Sequence, residues 1–458
     1  MKLINEEKIH EALKAGRKAG RSRIMEVLEK SAGLNRLSIE DAAVLLAAEG
    51  PGETEAILAA ASEVKRKIYG DRVVLFAPLY INNICANACS YCAFKEGNEL
   101  IPRKKLAQPE IAAEARSLLK MGHKRVLLVA SESGSPDDAG YFAESIGTIY
   151  SQTDGKNRIR RINVNCAPLE KEGFKRLKAS GIGTYQLFQE TYHERTYRKV
   201  HPRGPKSDPD ERLAAIDRAF EAGIDDVGIG ALFGLYDHRF EALGLLTHVE
   251  YLEKKFNIGP HTVSVPRVEP AKGVDLSEAA PFEMSDREFM LLVAVLRLAV
   301  PYTGIILSTR ESPEMRDALF DLGVSQISAS SRTSPGGYAE PGQACGQFSL
   351  NDHRSLDQVV GALIGKGAVP SFCTACYRSR RTGEAFMEMA RPGTIKGKCR
   401  INALITLKEY LDDYASDDVR AKGYALVEKL SAGLGAEEKE TLEKILLDLA
   451  KGKRDEFV

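Results

Sequence analysis

Residues 73–92 read VVLFAPLYINNICANACSYC. The first nine, VVLFAPLYI, form a short apolar run rich in β-branched and aromatic residues, which reads as a buried strand. Three cysteines follow directly, Cys85, Cys89 and Cys92, spaced C-x3-C-x2-C in the loop after that strand. Seven more runs of the same kind lie downstream: RVLLVAS (125–131), RINVNCA (161–167), TYQLFQET (184–191), DVGIGALFG (226–234), TVSVPRV (262–268), GIILSTR (304–310) and QISASS (326–331). Amphipathic stretches separate most of them, including PEIAAEARSLLKMG, LEKEGFKRLKASG, RLAAIDRAFEAG and MRDALFDLG, several ending at the glycine that commonly closes a helix. Eight βα units over about 260 residues predict an α/β fold, a (β/α)8 TIM-type barrel. A doubly wound open sheet would produce the same alternation.

Working outward, residues 1–70 read as a helical layer, with IHEALKAGRKAG, RSRIMEVLEK and IEDAAVLLAAE showing three-to-four apolar spacing and Ser38 placed to cap the third. The barrel is assigned to 71–365. It includes a Gly- and Pro-rich loop, SPGGYAEPGQACG (334–346), and a helical stretch, DQVVGALIGKG. A C-terminal module, 366–458, carries a second set of cysteines and then strongly helical text such as INALITLKEYLDDYA.

Composition narrows the function classes. Among 458 residues, 64 Lys+Arg balance 64 Asp+Glu, which argues against a broadly basic nucleic-acid surface. With 43% hydrophobic and 28% charged residues the chain is a folded globular protein. The first twenty residues lack the apolar core of a signal peptide, and no run of about 18 apolar residues occurs, so no membrane association and a cytoplasmic location are expected. Eight cysteines are too sparse for a disulfide scaffold, and in a reducing compartment clustered thiols bind metal or do chemistry.

Three close thiolates can hold three irons of a [4Fe-4S] cluster and leave the fourth iron open to an exogenous ligand. A zinc knuckle is the alternative, but it needs a fourth Cys or His nearby, and none follows within the next twenty residues. The spacing, with Tyr91 just before the last cysteine, resembles the signature of the radical S-adenosylmethionine (SAM) superfamily. That resemblance implies a cluster on Cys85, Cys89 and Cys92 whose open iron chelates SAM and whose electron cleaves it to a 5'-deoxyadenosyl radical. It also implies a SAM-binding motif after the second strand, where Ala130-Ser131-Glu132 matches only at Glu132.

A second trio, Cys373, Cys376 and Cys399, is spaced C-x2-C-x22-C. By itself it could be a redox pair, a zinc pair or another open cluster. Together with the first trio, and with GIGTYQLFQETYH (181–193), AGIDDVGIGALFGLYD (222–237), GPHTVSVPR (259–267), LSTRESPEMR (307–316) and PSFCTACYRSRRTGE (370–384), it resembles the HydG family of tyrosine lyases, maturases of [FeFe]-hydrogenase. The similarity spans roughly 70–415. It implies cleavage of the L-tyrosine Cα–Cβ bond to p-cresol and dehydroglycine, conversion of the latter to CO and cyanide, and their capture on a labile fifth iron. That iron is attached through free L-cysteine to a second [4Fe-4S] cluster, giving an Fe(CO)2(CN)-cysteine synthon for the hydrogenase.

In the same light His261, just before the sixth strand at the barrel's N-terminal mouth, is expected to ligate the fifth iron. Arg310 ends the seventh strand, and its fork suits a carboxylate, so it is assigned to the tyrosine carboxylate with Ser312 or Ser328 nearby; a structural ion pair is the competing role. Glu190 and Arg218 are assigned to SAM. Cys166 reads as core and Cys345 as a bystander; His193, His201 and His238 read as solvated loop residues with proton transfer as the alternative. Implied partners are other hydrogenase maturation proteins and an electron donor such as ferredoxin or flavodoxin. Two rivals remain: a 2-iminoacetate synthase-like tyrosine lyase of thiamine biosynthesis, which lacks the second trio, and a non-catalytic iron-sulfur scaffold.

Overall fold

The computed structural model describes residues 3–135, 137–340 and 345–458; residues 341–344 of the predicted Gly/Pro loop lie outside it. All eight predicted strands form: β1 (Arg72–Asn82), β2 (Arg125–Ala130), β3 (Arg161–Asn165), β4 (Tyr185–Glu190), β5 (Val227–Ala231), β6 (Thr262–Ser264), β7 (Gly304–Leu307) and β8 (Gln326–Ser328). Each pairs in parallel with its sequence neighbour, and β8 returns to β1 through Val74↔Gln326, Leu75↔Ile327 and Phe76↔Ser328. This closed eight-stranded parallel barrel excludes the open doubly wound sheet.

β1 shows how the sequence becomes an inside and an outside. Side chains alternate across a strand. Val73, Leu75, Ala77, Leu79 and Ile81 are all fully buried in the core shared with the surrounding helices. Val74, Phe76, Pro78 and Tyr80 line the interior. The barrel lumen is thus walled by one face of each strand while the other face is sealed by helices such as Gln108–Lys120, Lys171–Ala179, Pro209–Glu221 and Pro313–Leu322.

The N-terminal layer is four helices, Glu6–Gly16, Arg21–Ala32, Ile39–Leu46 and Pro51–Tyr69. Ser38 caps the third as expected, in a reciprocal arrangement with Asp41. These helices cover His238–Phe256 and Asp286–Ala299 on one flank of the barrel. Among the described residues no helix is long and apolar enough to cross a membrane.

Sequence reading missed a ninth strand, β9 (Val369–Ser371), which pairs in parallel with the start of β1 through Arg72↔Val369, Val73↔Pro370 and Val74↔Ser371. Three residues with a proline at the centre show no alternation to read, and proline is tolerated only at such edge positions. The C-terminal segment therefore begins inside the sheet rather than after it. Cys373 lies two residues beyond β9, and the helix Lys396–Asp413, which carries Cys399, packs against β9.

Leu75→Ala should remove a fully buried β1 side chain and cost about 2–5 kcal/mol. The shift in denaturation midpoint of the metal-free protein measures it; a change within 0.5 kcal/mol, roughly a surface effect, would contradict the packing described.

Candidate active site

The first thiol trio sits at the C-terminal mouth of the barrel. Cys85, Cys89 and Cys92 line an upper cavity of about 1450 Å³, counted to its open mouth, and no other Cys or His lines it among the described residues. The backbone N–H of Asn87 donates to Cys85 Sγ at 3.5 Å, and Gln347 Nε2 donates to Cys92 Sγ at 3.5 Å. Burial pushes the Cys89 thiol up to about 12, so loading metal there must expel its proton. Among the described residues no three His, Cys, Asp or Glu side chains gather tightly enough to hold a single ion. Three thiols in one cavity wall with no fourth Cys or His among its described residues suit a cluster with one open iron better than a tetrahedral ion closed by four ligands.

Beside the thiols lies a buried charge network. Glu132, after β2, accepts from Arg212 Nη1 at 2.8 Å and from Asn87 Nδ2 at 2.9 Å. Glu190, ending β4, receives Lys206 Nζ at 2.6 Å, with Arg212 Nη2 at 3.9 Å. Asn87 Oδ1 accepts from the Lys206 backbone N–H at 2.8 Å, which ties the cysteine loop to this network. Burial by itself would raise the Glu132 carboxyl, but Arg212 and Lys206 hold it below the usual carboxylate range. Glu190 has φ +71 at a register shift in β4, a left-handed conformation costing about 1–2 kcal/mol for a side-chain-bearing residue. The Leu232 N–H to Glu190 carbonyl bond, 2.7 Å, helps hold it there.

Tyr91 faces the same cavity, with its hydroxyl 2.9 Å from His201 Nε2. Across the cavity Arg310 lies flat on the Phe348 ring, 3.3 Å from its centroid, with one contact to the Arg267 carbonyl at 3.4 Å. Among the described residues it forms no carboxylate ion pair, so the structural-salt-bridge role is not what the geometry provides. Ser328 lines the cavity too, with a buried hydroxyl that lacks a partner among the described residues.

Two expected residues are placed elsewhere. Ser312 is absent from the cavity wall, and its hydroxyl caps the helix Pro313–Leu322 by accepting from the Met315 N–H at 3.2 Å. Arg218 is directed away from the cavity, donating to the Leu169 carbonyl and pairing with Glu211. Arg212, two turns earlier on the same helix, takes the position expected of Arg218; a helix in an unknown rotation gave no way to choose between them. Lys206 and Asn87 were also missed, since each acts only through its fold neighbours. His193 caps a helix and stacks on Tyr236, His201 is buried behind Tyr91, and neither they nor His238 line the cavity. Cys166 is core, as read; Cys345 packs, like Cys92, against the small cluster of Tyr80, Ala93, Phe94, Ile101 and Val129 and stands 3.8 Å from Lys272 Nζ.

The second trio lies at the opposite end. Cys373, Cys376 and Cys399 share a lower cavity of about 600 Å³ with His261, Arg72, Val74, Arg125, Tyr377, Arg381 and Phe386. Burial pushes the Cys376 thiol up to about 12, with its neighbouring thiols adding to the shift and Arg381 and Arg72 opposing it. The His261 ring leans on Phe386 at 4.3 Å between centroids, and its Nδ1 stands 3.4 Å from Asp226 Oδ1. The approach falls short of hydrogen-bond geometry, but a carboxylate on that side of the ring is where ligating histidines keep their orienting partner, leaving the other nitrogen for a metal. Three thiols and an imidazole, with no fourth thiol among the described residues of the wall, fit an iron-sulfur cluster with a neighbouring iron site.

Gly204, φ +98, is where this geometry admits no side chain: a Cβ would stand 2.4 Å from Asn87 Oδ1 and 2.5 Å from the Ala86 carbonyl oxygen. Gly204→Ala should displace the Cys85–Cys92 loop, lower iron bound per chain after anaerobic reconstitution and also lower the melting temperature of the metal-free protein. Unaltered iron content would show the loop is not held as described.

Comparison with known proteins agrees with this geometry. Residues 79–245 match the Radical SAM superfamily model, and 264–369 match the Biotin and Thiamin Synthesis associated domain; neither extends to the second trio. The 2-iminoacetate synthase of Escherichia coli (strain K12) is 34% identical over 344 residues, covering 75% of this chain and 89% of that protein. A crystal structure of HydG, a maturase of the [FeFe]-hydrogenase, superposes with TM-score 0.97 at 43% identity and covers 100% of both chains. HydG from Carboxydothermus hydrogenoformans gives 0.83 at 43% identity over 96% of this chain and 97% of its own. With two thiol trios at the two ends of one parallel barrel and these similarities across its full length, the chain belongs to the radical SAM superfamily, in the group that contains HydG and 2-iminoacetate synthase.

Proposed function

We propose that the protein is a radical SAM lyase that cleaves L-tyrosine at Cα–Cβ to p-cresol and dehydroglycine, then carries the fragment to CO and cyanide on a fifth iron. The product would be an Fe(CO)2(CN)-cysteine synthon for [FeFe]-hydrogenase maturation. The observation that carries this reading is the pair of incomplete thiol trios at opposite mouths of one lumen, in a chain matched over its whole length by HydG. A 2-iminoacetate synthase-like activity would need only the upper site. The lower trio with His261 beside it favours the longer reaction over a simple lyase, and the upper cavity favours an enzyme over an inert scaffold.

In this reading Cys85, Cys89 and Cys92 hold a [4Fe-4S] cluster, and Cys373, Cys376 and Cys399 hold a second. The upper cluster with SAM supplies a 5'-deoxyadenosyl radical when reduced by an external donor such as ferredoxin or flavodoxin. Glu132, Glu190 and Arg212 present fixed charges for the amino and carboxylate ends of SAM. Tyr91 packs the cluster loop. Arg310, charged and without a carboxylate partner among the described residues, grips the tyrosine carboxylate, and the Ser328 hydroxyl, likewise unpartnered among them, donates or accepts beside it. The closed barrel keeps water and stray hydrogen donors from the radical, which must meet one C–H or N–H bond in a held substrate. At the lower site His261 would hold the fifth iron, which is cargo that leaves with the product, together with free L-cysteine. Delivery to other maturation proteins follows.

Anaerobic incubation of reconstituted protein with SAM, reductant and tyrosine should yield 5'-deoxyadenosine and p-cresol, and the absence of both sinks the lyase reading. Replacing Cys376 and Cys399 by Ala should leave p-cresol formation within about twofold of the parent while abolishing CO and cyanide capture on iron. If both activities fall together with the upper cluster intact, the division between the two sites is wrong. Arg310→Met should raise KM for tyrosine by one to two orders of magnitude, roughly the 1.5–3 kcal/mol of a charge-assisted contact, with SAM binding unchanged. An unaltered KM assigns the carboxylate to another group.

A further inference from the structure

The two cavities differ in charge. The upper one sets Glu132 and Glu190 against Lys206, Arg212 and Arg310. The lower one is walled by Arg72, Arg125, Arg381 and Lys398, with no Asp or Glu among its described lining residues. Three of these four cations have evident partners. Arg125 donates to the Cys373 carbonyl at 2.9 Å, Arg381 to Ser379 Oγ at 3.2 Å and the Val458 carbonyl at 2.7 Å, and Lys398 is exposed to water.

Arg72 is the exception. Its Nε is shut off from solvent with no hydrogen-bond partner, and among the described residues its guanidinium has no ion pair, only the Tyr69 ring at 5.3 Å from the centroid. It is the first residue of β1, held by the backbone register Arg72↔Val369 four residues before Cys373. The residue as a whole is half-buried and keeps some access to water through the cavity, but a cation facing an acid-free cavity with no ion pair of its own favours an anion there. The anion that this cavity's own residues can supply is the sulfur of Cys373, Cys376 and Cys399, which becomes negatively charged when the thiols lose their protons to metal.

We propose that Arg72 is a positioning residue for the cluster on Cys373, Cys376 and Cys399. Its guanidinium donates charge-assisted hydrogen bonds into the sulfur shell, anchoring the cluster and raising its reduction potential. The inference rests on the proposed function only in requiring a cluster at the lower trio. Hydrogen bonds to sulfur and nearby positive charge favour the reduced, more negative cluster, which fixes the sign of the effect. Lysine would keep the charge and lose the planar fork.

The test uses the full-length chain as parent, Arg72→Lys and Arg72→Met, each reconstituted anaerobically. Iron and sulfide are counted, and the potentials and paramagnetic resonance spectra of the two clusters are recorded with and without SAM, which perturbs only the upper one. The parent should carry about eight irons in two clusters, rising toward about nine where the labile fifth iron is retained. Arg72→Met should lose much of the lower cluster or retain it at a more negative potential, Arg72→Lys should fall between, and the SAM-sensitive signal should stay the same. Without metal, Arg72→Met should melt no lower than the parent, because it removes a half-buried charge that has no ion pair among the described residues. Equal lower-cluster occupancy and potential in all three proteins overturns the role of Arg72. A marked loss of metal-free stability also overturns it, in favour of a structural part. A parent with a single SAM-responsive cluster overturns the proposed function and this inference together.

Discussion

Strand β1 is the constraint on which the rest of the molecule depends. Its eleven residues are longer than any other barrel strand, and three strands hydrogen-bond to it. Its upper half pairs with β2 and releases the chain into the first cysteine loop; its first three residues pair with β9 and bring the second trio beneath the barrel. β8 closes the barrel against its middle. Because strand side chains alternate, the residues that seal the helical core at Val73, Leu75 and Ala77 force Val74, Phe76 and Pro78 into the lumen. One strand therefore sets the outer core, the inner wall and the direction in which both thiol trios face.

The two ends of that lumen solve different electrostatic problems. At the upper mouth opposite charges are already paired, with Glu132 and Glu190 locked by Arg212 and Lys206. A zwitterionic ligand such as SAM would exchange into a preorganised set of charges at little reorganisation cost. The left-handed backbone of Glu190 is a local cost accepted there, offset by the hydrogen bonds around it. At the lower mouth the described wall is cationic, and the acid paired with the ring of His261 is Asp226, which stands behind it. Such a site is matched to something anionic.

Much of this was legible in the chain because the signals are local. A buried strand with its period, a helix ending at glycine, and three cysteines within eight residues all express themselves over short windows, so the eight strands and both thiol trios could be read directly. Ser38 announced its cap for the same reason. Ser328 and Arg310 could be placed near the mouth because barrel strands present their C-terminal ends there. The failures are long-range. Arg212 and Arg218 sit on one helix, and only its rotation against β4 puts the first in the cavity. Ser312 follows Arg310 by two residues yet belongs to the next helix as its cap. β9 has no pattern of its own, and its existence depends on free edge at the start of β1.

The sequence by itself therefore determined the alternation of eight strands with helices and the two cysteine trios, because period and spacing are properties of neighbours along the chain, while the pairing of β8 with β1 that makes a barrel of them belongs to the structure. Only the tertiary structure decided which charges meet: Asn87 and Lys206 with the Glu132–Glu190 network, Asp226 behind His261, and Arg72 beneath the second trio without a partner among the described residues. These contacts join residues tens to hundreds of positions apart. Their energies depend on mutual distance and on exclusion of water, which exist only once the barrel has closed.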